Sequence, residues 1–328
     1  MTCRINTYAD IGLFVSQAFS AVLIIFCLAS GADQKLAVFH AGSLSMPVRE
    51  MATQFKKEHP DVEIVCEAAG SRDCARKISD LGRTCDLLLL ADYEVIDQLL
   101  VPKFAAWNII FAGNEMCIVY TKNSRRSIEI TEKNWFSIMQ DPAVAFGRSE
   151  PNADPCGYRT VLLFKLAETV YGQPGLAAKL LVKDRQFIRP KETDLLALLE
   201  TNSIDYLFIY RSVAVQHNLP FVTLPASINL SDPARAAAYG AVSVPLSGKT
   251  PGDTIIQRGA PISYGMTIPT TAPNPVLARA FAAFILDPQK GGKILQAQGQ
   301  PPVTPAISSN YDAVPAEIRS FVKKSAPK

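Results

Sequence analysis

The chain has 328 residues, of which 48% are hydrophobic and 19% charged, with a formal net charge of +3 at pH 7. This length exceeds what one hydrophobic core usually supports, so two lobes are expected. The small net charge argues against a dominant nucleic-acid surface, and the apolar content without internal repeats argues against disorder, a fibre or a solenoid.

The first 31 residues predict a signal peptide. An apolar run from Ile11 to Leu28 is followed by small residues at 29–31, where we place the cleavage site. Arg4 is the only basic residue before the run, so an uncleaved membrane anchor is the alternative. Either way the chain is expected to be exported, to the periplasm or another extracytoplasmic location.

Export affects the interpretation of the cysteines. Five follow the leader, so at least one is unpaired: Cys66, Cys74, Cys85, Cys117 and Cys156. Two interpretations stay open, a bridge between Cys66 and Cys74 across a strand-to-helix turn, and five small apolar side chains without bridges.

After the leader, apolar runs alternate with helical patterns, which predicts βαβαβ order and a parallel sheet covered by helices on both faces. The predicted strands lie at 35–40, 62–69 and 85–91, and the predicted helices at 47–57, 72–81 and 93–100.

A second α/β series begins at Met116 and ends at Tyr210, after which extended segments return to two helices at 274–286 and 288–298. We expect Phe281 and Phe284 to pack in the core. The predicted organisation is a first lobe at 32–115, a second lobe at 116–257 and a return to the first lobe at 258–328. A ligand cleft is expected between the lobes.

Two turns of the first lobe suggest an anion site. His40–Pro47 and Ala69–Arg72 each follow a strand and open a helix, whose free N–H groups face the end of the sheet. Ser43 or Ser45 is expected to cap the first helix, and Ser71 begins the second. His40 is interpreted as a structural residue rather than a base.

On the second helix, Arg72, Arg76 and Lys77 are available to neutralise an anion, but they are interspersed with the acids Asp73 and Asp80. This pattern predicts a solvated face.

The second lobe contributes three further candidates. Asp154 is placed to cap a long helix, with Pro155 at its first position and Cys156 in its first turn. Glu192 precedes another helix as a first-turn acid, and Tyr210 ends an apolar strand.

Taken in order, the motifs HAGSLS, AGSR, LLLLADYEVI, DPCGYR, RPKETDL, FIYRSVAVQH and ISYGMTIP resemble the archaeal-type tungstate/molybdate-binding proteins. These are the substrate-binding subunits of oxyanion ABC importers, and the resemblance spans residues 36 to 304. It implies a two-lobed periplasmic-binding-protein fold of type II, α/β, in which each lobe is a mixed, mainly parallel sheet flanked by helices.

The resemblance also implies which residues contact the oxyanion. It assigns metal coordination to the carboxylates of Asp154 and Glu192, no catalytic residue and no cofactor. The implied ligand contacts are Gly42, Ser43, Ser71, Asp154, Pro155, Cys156, Glu192 and Tyr210.

The acids of this set favour an oxometalate. A carboxylate repels sulfate where water is scarce, whereas it donates an oxygen to Mo(VI) or W(VI). We therefore expect a monomeric, non-enzymatic binding protein that delivers tungstate or molybdate to a membrane permease, with no preference between the two predicted. The alternatives are a sulfate- or phosphate-binding protein, a cleft enzyme using Cys156, and a structural or sensory domain.

Overall fold

A computed structural model describes residues 34–325. The predicted signal peptide at 1–31 lies outside these described residues. Between residues 34 and 325, no helix is both long enough and apolar enough to span a bilayer.

The strands follow the apolar runs of the sequence. They are β1 (Gln34–Ala41), β2 (Val62–Ala69), β3 (Leu87–Leu90), β4 (Ile109–Gly113), β5 (Met116–Tyr120), β6 (Phe146–Ser149), β7 (Ile188–Arg189), β8 (Tyr206–Tyr210), β9 (Phe221–Thr223), β10 (Ser243–Ser247), β11 (Thr254–Arg258), β12 (Ser263–Thr267), β13 (Pro302–Ser308) and β14 (Val322–Lys324).

The helices alternate with these strands through most of the described chain. They are α1 (Ser45–Glu58), α2 (Ser71–Ser79), α3 (Tyr93–Leu99), α4 (Trp135–Ile138), α5 (Pro155–Val170), α6 (Leu176–Val182), α7 (Leu196–Glu200), α8 (Arg211–Gln216), α9 (Ala236–Tyr239), α10 (Pro275–Leu286), α11 (Gly291–Ala297) and α12 (Ala316–Arg319). Short 3₁₀ helices lie at Gly42–Leu44, Arg185–Phe187, Glu192–Leu195, Pro233–Arg235 and Tyr311–Ala313.

A seven-stranded sheet has the order β14-β13-β4-β12-β3-β1-β2. Strand β1 pairs in parallel with both β2 and β3, as the βαβαβ pattern predicts. Strand β12 enters from much later in the chain and pairs antiparallel with β3 and β4. We call this sheet, with α1–α3 and α10–α12, the first lobe.

A five-stranded sheet has the order β7-β6-β8-β5-β9 and, with α4–α8, forms the second lobe. Strand β6 pairs in parallel with β7 and β8, whereas β5 pairs antiparallel with β8 and β9. The chain crosses between the sheets from β4, which ends at Gly113, to β5, which begins at Met116. The lobe boundaries after residues 115 and 257 stay predictions.

Strands β10 and β11 form a separate antiparallel hairpin that contacts both lobes. From the first lobe, Arg72 donates to the carbonyl oxygen of Ser247 and Arg76 donates to that of Gly248, the latter at 2.8 Å. From the second lobe, Asn152 accepts a hydrogen bond from the Ser247 N–H at 2.9 Å. The hairpin therefore bridges the two lobes.

Packing confirms the core predicted for Phe281 and Phe284, which are 0% and 5% exposed. The cysteines form no bridge in the described chain: Cys66 is exposed, and the other four described ones are buried and free. The alternative of a bridge between Cys66 and Cys74 is therefore not realised. Cys66 lines the face of the sheet under α1, whereas Cys74 packs with Phe39 on the opposite face.

Candidate functional site

The turns after β1 and β2 lie side by side in the first lobe. The two strands are paired in parallel through their last residues, Ala41 with Ala69, so the glycine–serine pairs that follow are neighbours. Both serines, Ser43 and Ser71, are 0% exposed. Parallel strands place the residues after their carboxyl ends at one edge of the sheet, where α/β folds bind ligands.

The second lobe comes within contact distance of both turns. A Cβ atom at Gly70 would lie 2.3 Å from the Ala153 carbonyl oxygen, and one at Gly42 would lie 2.9 Å from Glu192 Oε2. The contact at Gly70 is with backbone atoms and that at Gly42 is with side-chain atoms, and in both places a residue with a Cβ would be too close. The lobes are therefore in direct contact over the predicted site.

The first N–H groups of α2 serve this contact. The N–H groups of Arg72 and Asp73 donate to the Ala153 carbonyl oxygen at 3.1 and 3.3 Å. These two N–H groups were expected to face an anion. They donate instead to the second lobe, because the Ala153 carbonyl oxygen lies directly over the first turn of the helix.

Asp154 and Glu192 lie together in the second lobe, and both are 1% exposed. Asp154 caps α5 as predicted, since its Oδ1 accepts from the Cys156 N–H at 3.1 Å. Its Oδ2 accepts from the Glu192 N–H at 3.0 Å, which brings the two acidic residues together. Among residues 34–325, neither carboxylate oxygen of Glu192 makes a hydrogen bond of good geometry, although the Asp154 carboxyl and the Ser43 backbone lie close enough to change the pKa of Glu192.

This pair is electrostatically strained. Burial raises the pKa of the Asp154 carboxyl, and burial together with the Asp154 charge raises the pKa of Glu192 well above its usual value. Two buried acids this close resist full ionisation unless a positive centre compensates them. The arrangement therefore suits a ligand that offers such a centre.

Three hydroxyl groups are buried at the predicted contacts: those of Ser43, Ser71 and Tyr210, each in a residue that is 0% exposed. The prediction that Ser43 or Ser45 caps α1 is wrong. A 3₁₀ turn follows β1 instead, and Leu44 occupies the cap position without a side-chain hydrogen bond. This leaves the Ser43 hydroxyl free of a capping role.

Pro155 and Cys156 occupy the first turn of α5, as predicted. The Cys156 thiol lies 3.7 Å from the Phe208 carbonyl oxygen, to which it donates. Burial and the charges of Asp154 and Glu192 raise the pKa of this thiol well above its ordinary value. A nucleophilic role requires a lowered thiol pKa, so this environment disfavours the enzyme alternative.

A buried network next to the site was not predicted. Arg159 of α5 pairs with Asp92 of the first lobe at 3.0 Å, and their side chains are only 4% and 5% exposed. Arg159 also donates to the Tyr210 hydroxyl at 2.8 Å, and Tyr158 donates to Asp92. The sequence signal was an arginine in the mostly apolar first half of α5, because a charged residue buried there needs a partner.

The first-lobe cations are also placed differently from the prediction. Arg72 is 0% exposed, because the second lobe and the hairpin cover it, so the predicted solvated face is wrong at this position. Lys77 pairs with Glu67 at 2.7 Å. His40 is buried, and its Nδ1 lies 2.8 Å from the Ala41 carbonyl oxygen, so it has the structural environment expected of it.

Comparison with known proteins identifies the family. Residues 36–300 match the family described as bacterial extracellular solute-binding protein. An uncharacterized solute-binding protein of Petrotoga mobilis is 45% identical, over 89% of this chain and 91% of its own. The molybdate/tungstate-binding protein WtpA of Pyrococcus abyssi is 39% identical, over 95% and 98% of the two chains.

The fold comparison agrees. The periplasmic molybdate-binding protein of Azotobacter vinelandii superposes with a TM-score of 0.60, covering 81% of this chain and 98% of that one. At 15% identity this likeness establishes the fold alone. The predicted two-lobed fold class and the predicted family resemblance are confirmed.

Proposed function

The chain belongs to the family of bacterial extracellular solute-binding proteins, and from this premise we propose that it captures tungstate or molybdate between its two lobes. The observation that carries the proposal is the buried pair Asp154 and Glu192, with neither Glu192 carboxylate oxygen making a hydrogen bond of good geometry among the described residues. Relatives such as the Pyrococcus abyssi protein support this ligand class by their names.

The chemistry of the donor set fits an oxometalate. Mo(VI) and W(VI) are hard, highly charged centres that accept oxygen ligands, so the two carboxylates would bind the metal atom itself. The buried hydroxyls of Ser43, Ser71 and Tyr210 would donate to the oxo groups, and Gly42 admits close approach of the backbone. In this assignment Pro155 and Cys156 border the ligand as the first turn of α5.

Sulfate and phosphate are the rival ligands. Their central atoms do not accept carboxylate oxygens, so each acid would have to keep a proton and donate a hydrogen bond. The raised pKa values of Asp154 and Glu192 are the observation that favours this rival. The two modes differ in proton count, because metal coordination requires the carboxylate and therefore releases the proton.

Calorimetric titration with tungstate, molybdate, sulfate and phosphate tests the proposal. Tungstate should bind with proton release, measured from the dependence of the heat on buffer ionisation, and a thousandfold excess of sulfate should fail to displace it. Tight sulfate binding without proton release would refute the assignment.

Glu192→Gln separates the two modes further. Loss of a direct metal ligand should lower tungstate affinity by at least ~100-fold, since even outer-shell changes cost about 10- to 100-fold. In a hydrogen-bonding site the same amide would donate to the anion, and affinity would hold or rise. Asp194→Asn is the matched control, because Asp194 lies on the same segment but is exposed and pairs with Lys191.

We further propose that the protein acts without catalysis or a cofactor, as a monomer exported by the signal peptide at 1–31. It would be periplasmic or otherwise extracytoplasmic, possibilities that include tethering by a retained leader. Closure of the lobes would present the loaded form to a membrane permease of an ABC importer.

A further inference from the structure

Two of the three buried hydroxyls of the site, those of Ser71 and Tyr210, lie against a nitrogen donor. Ser71 Oγ accepts from the Ala91 backbone N–H at 2.9 Å, and the Tyr210 hydroxyl accepts from the Arg159 guanidinium at 2.8 Å. Neither donor has a lone pair to offer in return. The hydroxyl proton of Ser71 and that of Tyr210 are therefore available to another acceptor.

Ser43 lies against a hydroxyl instead, so its proton direction depends on the next group. Its Oγ is 2.9 Å from the Tyr264 hydroxyl, and either oxygen can donate in an isolated pair. Tyr264 is itself 2.7 Å from Asn114 Nδ2. The orientation of the Asn114 amide thus decides the direction of the whole chain of hydrogen bonds.

Two backbone donors fix that orientation. Asn114 Oδ1 accepts from the N–H groups of Glu115 and Ser212, at 2.9 and 3.3 Å, and backbone N–H groups only donate. The amide nitrogen must then face the Ser212 and Tyr264 hydroxyls, each at 2.7 Å.

Gln300 also lies near the Tyr264 hydroxyl and lowers its pKa, as a hydrogen-bond donor does. With the amide nitrogen of Asn114 donating as well, the acceptor within hydrogen-bond distance of the Tyr264 proton is Ser43 Oγ, at 2.9 Å. The proton of Ser43 is then left for the ligand.

The chain of hydrogen bonds begins at the crossing between the lobes. Asn114 lies between β4 and β5, Ser212 begins the second-lobe helix α8 with Arg211, and Tyr264 belongs to β12 of the first lobe. All three side chains are buried, and burial raises the pKa of Tyr264 to about 12, so it keeps its proton. The orientation is therefore built from groups of both lobes.

We propose that Asn114 and Tyr264 are positioning residues, which orient the Ser43 hydroxyl as a hydrogen-bond donor toward the bound oxyanion. The inference rests on the proposed function and deepens it. The Ser71 and Tyr210 hydroxyl oxygens already accept from N–H groups, so their protons also point to the ligand. All three hydroxyl groups of the site therefore face the ligand as hydrogen-bond donors. Such a lining suits the oxo groups of a fully deprotonated anion, which only accept.

Tungstate titration of Tyr264→Phe tests the proposal. The variant keeps the ring but removes the donor to Ser43, whose hydroxyl is then free to rotate away from the ligand. We expect affinity to fall about 4- to 10-fold, as for loss of a hydrogen bond between neutral groups. In a Ser43→Ala background the same change should cost less than about threefold, because no hydroxyl is left to orient. Equal losses in both backgrounds would overturn the proposal.

Asn114→Asp provides a second variant of nearly the same shape. A carboxylate in place of the amide accepts a hydrogen bond from the Tyr264 hydroxyl. The direction of the hydrogen bonds from residue 114 through Tyr264 to Ser43 is then reversed, so tungstate affinity should fall by a similar factor. Repulsion by the new carboxylate acts in both backgrounds, so the difference between them is the test. Added to Tyr264→Phe, Asn114→Asp should cost at least about threefold less affinity than it costs in the unaltered chain, and equal losses would overturn the proposal. Thermal unfolding of each variant checks that it is folded.

These outcomes separate the two proposals. If the unaltered chain binds tungstate tightly while Tyr264→Phe binds equally well, the orientation proposal falls and the proposed function stands. If the unaltered chain binds no tungstate or molybdate, both fall.

Discussion

Closure of the lobes can be tested at Gly70, where the second lobe touches the first. Gly70 has φ −58° and ψ 144°, which alanine adopts without strain, so Gly70→Ala should leave the fold of each lobe intact. Its Cβ, however, would lie 2.3 Å from the Ala153 carbonyl oxygen and 2.9 Å from that of Pro190. The variant therefore penalises the closed form alone.

The size of the penalty follows from the contacts that must open. The Cβ at Gly70 falls about 1 Å short of the 3.4 Å at which ordinary van der Waals contact begins. A shift of that size breaks the hydrogen bonds from Arg72 and Asp73 to Ala153, now 3.1 and 3.3 Å long. At about 0.5–1.5 kcal/mol each, their loss costs closure about 1–3 kcal/mol. Tungstate affinity should fall about 5- to 150-fold.

Calorimetry measures the affinity, and small-angle X-ray scattering measures whether tungstate still compacts the protein. Gly292→Ala is the control, because its Cβ would come no closer than 3.3 Å to any neighbour and its helix lies away from the lobe contact. Affinity and compaction in Gly70→Ala equal to those of the unaltered chain would refute the idea that ligand is held by the closed form.

Two further expectations concern charge and thiol chemistry. The Arg83 and Lys77 partners lower the pKa of Glu67 from 4.5 to about 2, so its contribution to stability is complete above pH 4.5 and is lost as pH falls toward 2. Because the Arg83–Glu67 pair is partly exposed, Glu67→Gln should lower the free energy of unfolding at pH 7 by at most about 1 kcal/mol, measured by urea titration. The difference between the two proteins should vanish near pH 2. A difference that does not change with pH would contradict this expectation. Iodoacetamide should modify the exposed Cys66 in the native protein but not Cys156, as read by mass spectrometry of peptides, and native labelling of Cys156 would contradict its burial.

The sequence predicted the early sheet well because its signals are local. Continuous apolar runs separated by helical patterns led directly to β1, β2 and β3 and to their parallel pairing. The insertion of β12 between β3 and β4 could not be predicted in the same way. Strand β12 comes from a part of the chain that follows the whole second lobe, and no local sequence pattern predicts its pairing with β3 and β4.

At the site, residue types were easier to predict than their surroundings. A helix-capping role for Asp154 follows from its position before Pro155, and in the structure its side chain accepts a hydrogen bond from the Cys156 N–H. Arg72 looked solvated because its own helix carries acids, but the second lobe buries it. The hydrogen bond from Asn114 to Tyr264 joins residues 150 positions apart, so only the fold brings it about.

The bridging hairpin has a consequence for how the protein can vary. Arg72 and Arg76 bind it through the main-chain oxygens of Ser247 and Gly248. Position 248 must stay glycine, because a Cβ there would lie 2.5 Å from the Cβ of Asp253. Exposed positions of the hairpin tip beyond these contacts, such as Lys249 and Pro251, can differ while the main-chain hydrogen bonds to the two arginines are kept. A binding protein built this way can change the surface that it offers to a partner without changing the contacts that join its lobes.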